Sequence, residues 1–511
     1  MMAQAKVLSA TTIGIRSYLV DVEVDLSVGM VDFAIVGLAD TAIKESRQRI
    51  RTAFKNSGLN LPQRKITVNL APASLRKEGT LFDLPIAVGI LQAAGQIQMS
   101  SDFLQETLFL GELALDGIIR AVRGTLPIAY EMEQLGKKRL ILPIANATEA
   151  ALINGIEVVG VATLVQLVAY LRGEEKITPA VNSFNAFKQA KIAPESDFIQ
   201  VKGQEQAKRA LQISAAGWHN ILFIGSPGSG KTMLAKRIIS IMPSMSFHEV
   251  IETSKIYSVS GKFDANSLQM IRPFRSPHHT ISQAGLVGGG SNPQPGEISL
   301  AHKGVLFLDE LTEFRTGTLE VLRQPLESKK VTISRATQSV DYPADFLLVA
   351  ALNPCPCGYF GDKRKKCICT EQQIKRYLGK ISGPLLDRID LQIPVYSVDY
   401  DTIANKDLNL QSSDDLLVGV LRAIKTQITR FKGHKWNSQM NSEEIEMHCG
   451  MTPEAEALIK KVFDVLGLSM RGYHKTLKVA RTIADIDGST VIEASHLRQA
   501  IMYRSFDQKQ A

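Results

Sequence analysis

Gly225-Ser226-Pro227-Gly228-Ser229-Gly230-Lys231-Thr232 follows the apolar run Ile221-Leu222-Phe223-Ile224 and precedes a helix-forming segment, Met233 to Met242. The octet fits GxxxxGK[ST], and strand, loop, helix is the context in which that pattern cradles phosphate. Glycines let backbone N–H groups curl around the β- and γ-phosphates, and the helix N-terminus adds positive potential. Lys231 is expected to neutralise phosphate charge and the Thr232 hydroxyl to ligate Mg²⁺. The bland alternative is a glycine-rich turn with a solvated lysine.

Downstream, Val305-Leu306-Phe307-Leu308 runs into Asp309-Glu310. Four apolar residues ending in two acids describe a buried strand that delivers carboxylates at its C-terminal edge, where open α/β sheets bind ligands. Asp309 would hold Mg²⁺ through water, and Glu310 would polarise the attacking water. From Phe198 onward, short apolar strands alternate with longer amphipathic helices, which predicts a parallel sheet with helices on both faces. From about Asp414 only helical periodicity remains, and Thr452-Pro453-Glu454 reads as a helix start. Upstream, the first ~172 residues read as mixed α/β. Strands are expected at Val20–Leu26, Ile66–Leu70, Leu140–Pro143 and Val158–Val161, and helices at Ala42–Phe54 and Asp83–Ala94. Between the two regions, Gly173 to Ser196 carries charges, Asn and two prolines, as a linker does.

The whole chain has 511 residues, enough for two to four domains. Hydrophobic residues at 45% and charged residues at 22% exclude a disordered, collagen-like or disulfide-scaffold protein. No apolar run reaches the ~18 residues of a membrane span. Met1 to Asp21 lacks the pattern of a signal peptide, so a cytoplasmic protein with no membrane partner is expected. The net charge of +8 permits a polyanion partner without establishing one. Between Lys44 and Lys77 nine Lys/Arg stand against one acid, Glu45, and a second basic run is Lys363-Arg364-Lys365-Lys366. Such clusters suit phosphate backbones, or they are simply a solvated helix face.

Four of the five cysteines form Cys355-x-Cys357 and Cys367-x-Cys369. This is the content of a Cys₄ zinc site, though C-x-C is tighter than the commoner C-x₂-C. Four reduced thiols in a loop remain the alternative.

These parts resemble the AAA+ ATPases. By that resemblance Asn353, at the end of Leu347–Leu352, is sensor 1. Arg388 in Pro384–Asp390 is the finger that reaches a neighbouring subunit's ATP, and Arg471 after Ser469 is the sensor 2 arginine of a lid. On local sequence alone each arginine could equally be a surface residue. The long interval between Lys231 and Asp309 holds Arg272-Pro273-Phe274-Arg275-Ser276-Pro277-His278-His279-Thr280-Ile281-Ser282. A Pro/Gly hairpin follows at Asn292–Gly296, and a second hairpin joins Val331–Arg335 to Ser339–Phe346. These are similar to the insertions of the magnesium chelatase and MCM branch. With Asn353-Pro354-Cys355-Pro356-Cys357-Gly358 and Arg481-Thr482-Ile483-Ala484-Asp485, the chain closely resembles the YifB/ComM family along nearly its whole length.

The resemblance implies a Lon-protease-like domain over 1–172, a linker over 173–197, an AAA+ core over 198–398 and a helical lid over 399–511. Where Lon proteases carry a nucleophilic serine, this chain has Lys77-Glu78-Gly79-Thr80-Leu81-Phe82-Asp83, so no peptidase activity is expected. The resemblance further implies ATP and Mg²⁺ as cofactors. It implies a ring, a hexamer, that drives branch migration on single-stranded and branched DNA during natural transformation, with a recombinase as a candidate partner. His278 and His279 would then face the pore or serve packing. The rival is a protein remodeller or chelatase-type ATPase.

Overall fold

A computed structural model describes residues 4–182, 197–263, 271–290, 292–335, 338–362, 364–399, 410–466 and 469–504. It divides into two compact units. The first is Met1–Gln189 with Val250–Leu268, and the second is Ala190–Glu249 with Gln269–Ala511.

The first unit is built on a seven-stranded sheet. Its order is Asp32–Val36, Lys65–Ala71, Arg16–Ser27, Gln4–Ile13, Thr107–Phe109, Arg139–Pro143 and Glu157–Val161. Arg16–Ser27 alternates buried and open positions along most of its length, as the period-two pattern predicts. The helix Asp83–Ala93 is buried on every side, which is why it shows no polar face in the sequence. The helix Thr41–Asn56 has a buried stripe of Ile43, Ser46, Ile50, Ala53 and Phe54, and Asp40 caps it by accepting from the Ile43 N–H at 2.8 Å.

Part of the interval between the two acidic and phosphate-loop motifs also belongs to this unit, a feature the sequence did not announce. The Gly124 N–H donates to the Ser258 carbonyl at 3.2 Å, and the Lys255 ammonium lies 3.0 Å from the centre of the Tyr130 ring.

The second unit is a five-stranded parallel sheet ordered Phe274–Arg275, Val305–Leu308, Leu347–Leu352, Ile221–Ile224 and Leu391–Pro394. Ile221–Leu222–Phe223–Ile224, Val305–Leu308 and Leu347–Leu352 are buried throughout, as unbroken apolar strands in a covered parallel sheet must be. The segment after the phosphate loop is helical over Lys231–Arg237 and continues as a 3₁₀ turn over Ile238–Ile241. The anticipated second hairpin pairs Lys330–Arg335 with Gln338–Pro343, and Phe346 lies beyond it in the core. In the first hairpin, Gly288–Gly289 pairs with Gln294–Pro295.

Among the described residues of this unit's C-terminal part, helices run over Ser413–Phe431, Ser442–His448, Pro453–Leu466, Met470–Asp487 and Ala494–Met502. They share one apolar core with the sheet and stack Trp436 on Trp218 at 5.0 Å. At its centre Arg481 and Arg430 both bind the buried Asp485, at 2.9 and 2.6 Å, and Asn437 donates to the same carboxylate at 2.8 Å. Among the described residues, no helix is long and apolar enough to cross a membrane.

Candidate active site

Three strands of the parallel sheet end side by side, and their C-terminal tips carry the chemistry. Ile221–Ile224 leads into the phosphate loop, Val305–Leu308 into Asp309-Glu310, and Leu347–Leu352 into Asn353. The phosphate loop turns into its helix at Gly230, whose φ of 92° lies in the left-handed region where glycine carries no Cβ penalty. Lys231 then folds back, and its ammonium donates to the Gly225 carbonyl at 2.7 Å, the Ser226 carbonyl at 3.0 Å and Asn353 Oδ1 at 3.2 Å. Burial lowers the Lys231 pKa, while the charges of Asp309 and Glu310 oppose that shift.

Thr232 Oγ1 donates to Asp309 Oδ2 at 2.6 Å, and Asp309 Oδ1 accepts the Glu310 N–H at 2.9 Å. Two hard oxygen donors meeting beside a loop of N–H groups fit a magnesium-bound nucleoside triphosphate. Glu310 itself sits at φ 52°, ψ 49°, a left-handed conformation that costs a non-glycine residue about 1–3 kcal/mol and clusters at functional sites.

His279, expected in the pore or in packing, instead stands beside Glu310, a placement that sequence reasoning did not foresee. Its Nδ1 lies 3.5 Å from Glu310 Oε2, its ring stands edge-on to Phe314, and His278 packs against it at 4.1 Å. The signal was present in its placement: the pair follows the sheet strand Phe274–Arg275, on the edge where the other site residues emerge.

The two candidate arginines form a second group. Arg388 Nη2 and Arg471 Nη2 both bind Glu327 Oε1, at 2.5 and 2.8 Å. The structure therefore brings Arg471, expected as the sensor 2 arginine of a lid, to Arg388. Their supports are also joined. Lys475, one helical turn beyond Arg471, bonds the carbonyls of Asp387 and Ile389 and lies 3.3 Å from the Asp390 carboxylate. Burial pushes Asp390 up, but Lys475 and His219 outweigh it and hold its carboxyl well below the usual range. Arg388 lines a cleft of about 560 Å³ with Gln283, Glu327 and Thr332.

The four clustered cysteines are together, with all four Sγ atoms within 4.8 Å of one another. Backbone N–H groups of Ile368 and Tyr359 favour the Cys357 thiolate and draw its pKa down to about 6.

The basic segment 44–77 is less free than its composition implies. Lys77 is fully buried and donates to the carbonyls of Leu70, at 2.8 Å, and Pro72. Arg49 binds the buried Asp83 at 2.7 Å, and Arg76 binds Glu78 at 2.8 Å. Lys44, Arg47, Arg51, Lys55, Arg64 and Lys65 are exposed. In the 77–83 stretch, Phe82 is buried and the Thr80 hydroxyl bonds Glu112. Lys363 lies outside the described residues, as do 183–196 of the expected linker.

Comparison with known proteins covers almost the whole chain. Residues 197–403 match the family described as magnesium chelatase, subunit ChlI. Residues 22–146 match subunit ChlI of Mg-chelatase, and 411–504 match the C-terminal region of magnesium chelatase subunit ChlI. The chain is 43% identical over 507 residues to competence protein ComM of Haemophilus influenzae, covering 99% of this chain and 98% of that protein. It is 42% identical over 500 residues to the uncharacterized protein YifB of Escherichia coli, covering 97% and 96%. It is also 28% identical over 235 residues to Lon protease 2 of Bacillus subtilis, covering 41% and 42%.

Proposed function

The chain belongs to the ComM and YifB family of magnesium-chelatase-type AAA+ proteins, and on that premise we propose that it is an ATP-driven motor acting on DNA. The observation that carries this reading is the convergence of Lys231, Thr232, Asp309 and Asn353 at the edge of one parallel sheet, with Arg388 and Arg471 grouped on Glu327. Lys231 and the loop N–H groups hold the β- and γ-phosphates. Thr232 and Asp309 would hold Mg²⁺, which when bound would neutralise charge on the phosphates. Glu310 accepts a proton from the attacking water as its oxygen approaches the γ-phosphorus. Asn353 orients that water. Arg388 and Arg471, freed from Glu327, serve the ATP of an adjoining copy in a hexameric ring.

The substrate of the motor is single-stranded and branched DNA, moved by branch migration in the cytoplasm during uptake of foreign strands, with a recombinase as a further partner. The exposed cations of 44–65 and the competence role in the name of the ComM relative support this. A second reading, a protein remodeller of the chelatase type, draws on the magnesium chelatase family models and on the cations already committed to Leu70, Pro72, Asp83 and Glu78.

Phosphate release with and without forked DNA tests both readings. Lys231→Ala should lose nucleotide binding or turnover, and Glu310→Gln should bind ATP without hydrolysing it. Both should leave three-strand DNA intermediates unresolved. Stimulation only by a protein partner would favour the remodeller, and resolution of the intermediates by either variant would overturn the motor.

A further inference from the structure

The cysteine cluster sits in a loop between the strand Leu347–Leu352 and the helix Glu371–Leu378. Cys355 Sγ lies 3.3 Å from Cys357 Sγ and 3.7 Å from Cys367 Sγ, and Cys357 to Cys367 is 3.6 Å. A disulfide would bring one pair to about 2.05 Å. Four sulfurs placed tetrahedrally at about 2.3 Å from a zinc ion lie about 3.8 Å apart, close to those three separations, and the Cys369 sulfur lies within 4.8 Å of the others. Backbone N–H groups also point at the sulfurs: Cys357 to Cys369 Sγ and Cys369 to Cys367 Sγ at 3.4 Å, and Phe360 to Cys355 Sγ at 3.3 Å. Such donors are the outer shell of a thiolate site.

The same loop is a wall of the phosphate-loop pocket. Gly358, next to Cys357, passes so close to Pro227 that a Cβ would stand 2.6 Å from its ring. Asp362 lines the same cleft as Ser226. Arg364 is anchored by the Val398 carbonyl and by Asp399 at 2.9 Å. Lys365 lies over the Tyr359 ring at 4.9 Å and reaches its hydroxyl at 3.3 Å. Tyr359, Arg364 and Lys365 line, with Ser226–Gly230, a cleft of about 410 Å³. An aromatic ring and two cations beside a phosphate loop suit the base and phosphates of one nucleotide.

We propose that Cys355, Cys357, Cys367 and Cys369 bind a structural zinc ion that pins this loop, so that Tyr359, Arg364 and Lys365 complete the nucleotide pocket. The coupling rests on the ATP reading of the phosphate loop; the zinc site does not.

Elemental analysis of the full chain should find one zinc per chain. Removing it with a chelator under reducing conditions should weaken binding of a fluorescent, Mg²⁺-bound ATP analogue by about tenfold, and adding zinc should restore it. The double change Cys367→Ser, Cys369→Ser should lose both metal and affinity. The double change Arg364→Ala, Lys365→Ala should keep the zinc and lose the affinity, and it does not depend on the cysteine variant folding. A chain without stoichiometric zinc overturns the proposal, and so does zinc whose removal leaves analogue binding unchanged. Stoichiometric zinc in a chain that binds no nucleotide overturns the coupling and the ATP reading together, and leaves the metal site standing.

Discussion

At Glu310, backbone and side chain carry different duties. Its left-handed backbone turns the chain sharply after Asp309, so that two consecutive acids face different tasks: Asp309 meets Thr232 and Glu310 meets His279. An imidazole 3.5 Å from a carboxylate restricts where that carboxylate can point, and a misplaced base loses rate without losing substrate binding. His279→Ala is therefore expected to lower the hydrolysis rate about tenfold, the equivalent of ~1.4 kcal/mol, with little change in ATP affinity. His279→Gln, which keeps a hydrogen-bond donor, should recover part of the rate. Steady-state kinetics separates the two effects, and an unchanged rate in His279→Ala would remove the histidine from the site.

At the level of elements, the helix Met470–Asp487 is tied to the segment Pro384–Asp390. Lys475 ties the helix to Asp387, Ile389 and Asp390, and the Asn220 side chain, just before the strand Ile221–Ile224, donates to the Arg388 carbonyl at 2.9 Å. Arg388 and Arg471 are thus carried on a common support. Asp390 titrates below its ordinary value, so its charge stabilises the fold fully above about pH 4, and that contribution falls away as pH drops below this. Asp390→Asn leaves Lys475 buried without its counter-charge and should cost about 3 kcal/mol at pH 7. The deficit should shrink in acid. Urea denaturation at pH 7 and near pH 3 measures it, and an equal deficit at both would show that charge is not its source.

On the scale of the whole molecule, both arginines converge on Glu327, while Lys231 and Thr232 are bonded among the strand tips. The proposed site shared between two copies rests on that division, and mixing inactive chains tests it. Lys231→Ala mixed equally with Arg388→Ala should recover about a quarter of wild-type hydrolysis, the share of interfaces that pair an intact loop with an intact finger. The mixture of Lys231→Ala with Arg471→Ala should recover a similar share. No recovery with Arg471→Ala would return that residue to the copy that carries the phosphate loop.

Local order along the chain was enough to reveal the phosphate loop, the acidic strand end at Asp309-Glu310 and the parallel sheet, because each depends on short-range rules: glycine conformation, unbroken apolar strands and capped helices. The family resemblance was legible for the same reason. Composition overstated the basic segment, since a lysine count cannot distinguish Lys77, buried against two carbonyls, from Lys44 in solvent. Only the tertiary structure decided that His279 meets Glu310, that Arg388 and Arg471 share Glu327, and that the cysteine loop walls the phosphate pocket. Those contacts join residues distant in sequence, and what brings them together is the packing of strands and helices around a common core rather than any preference of the residues themselves.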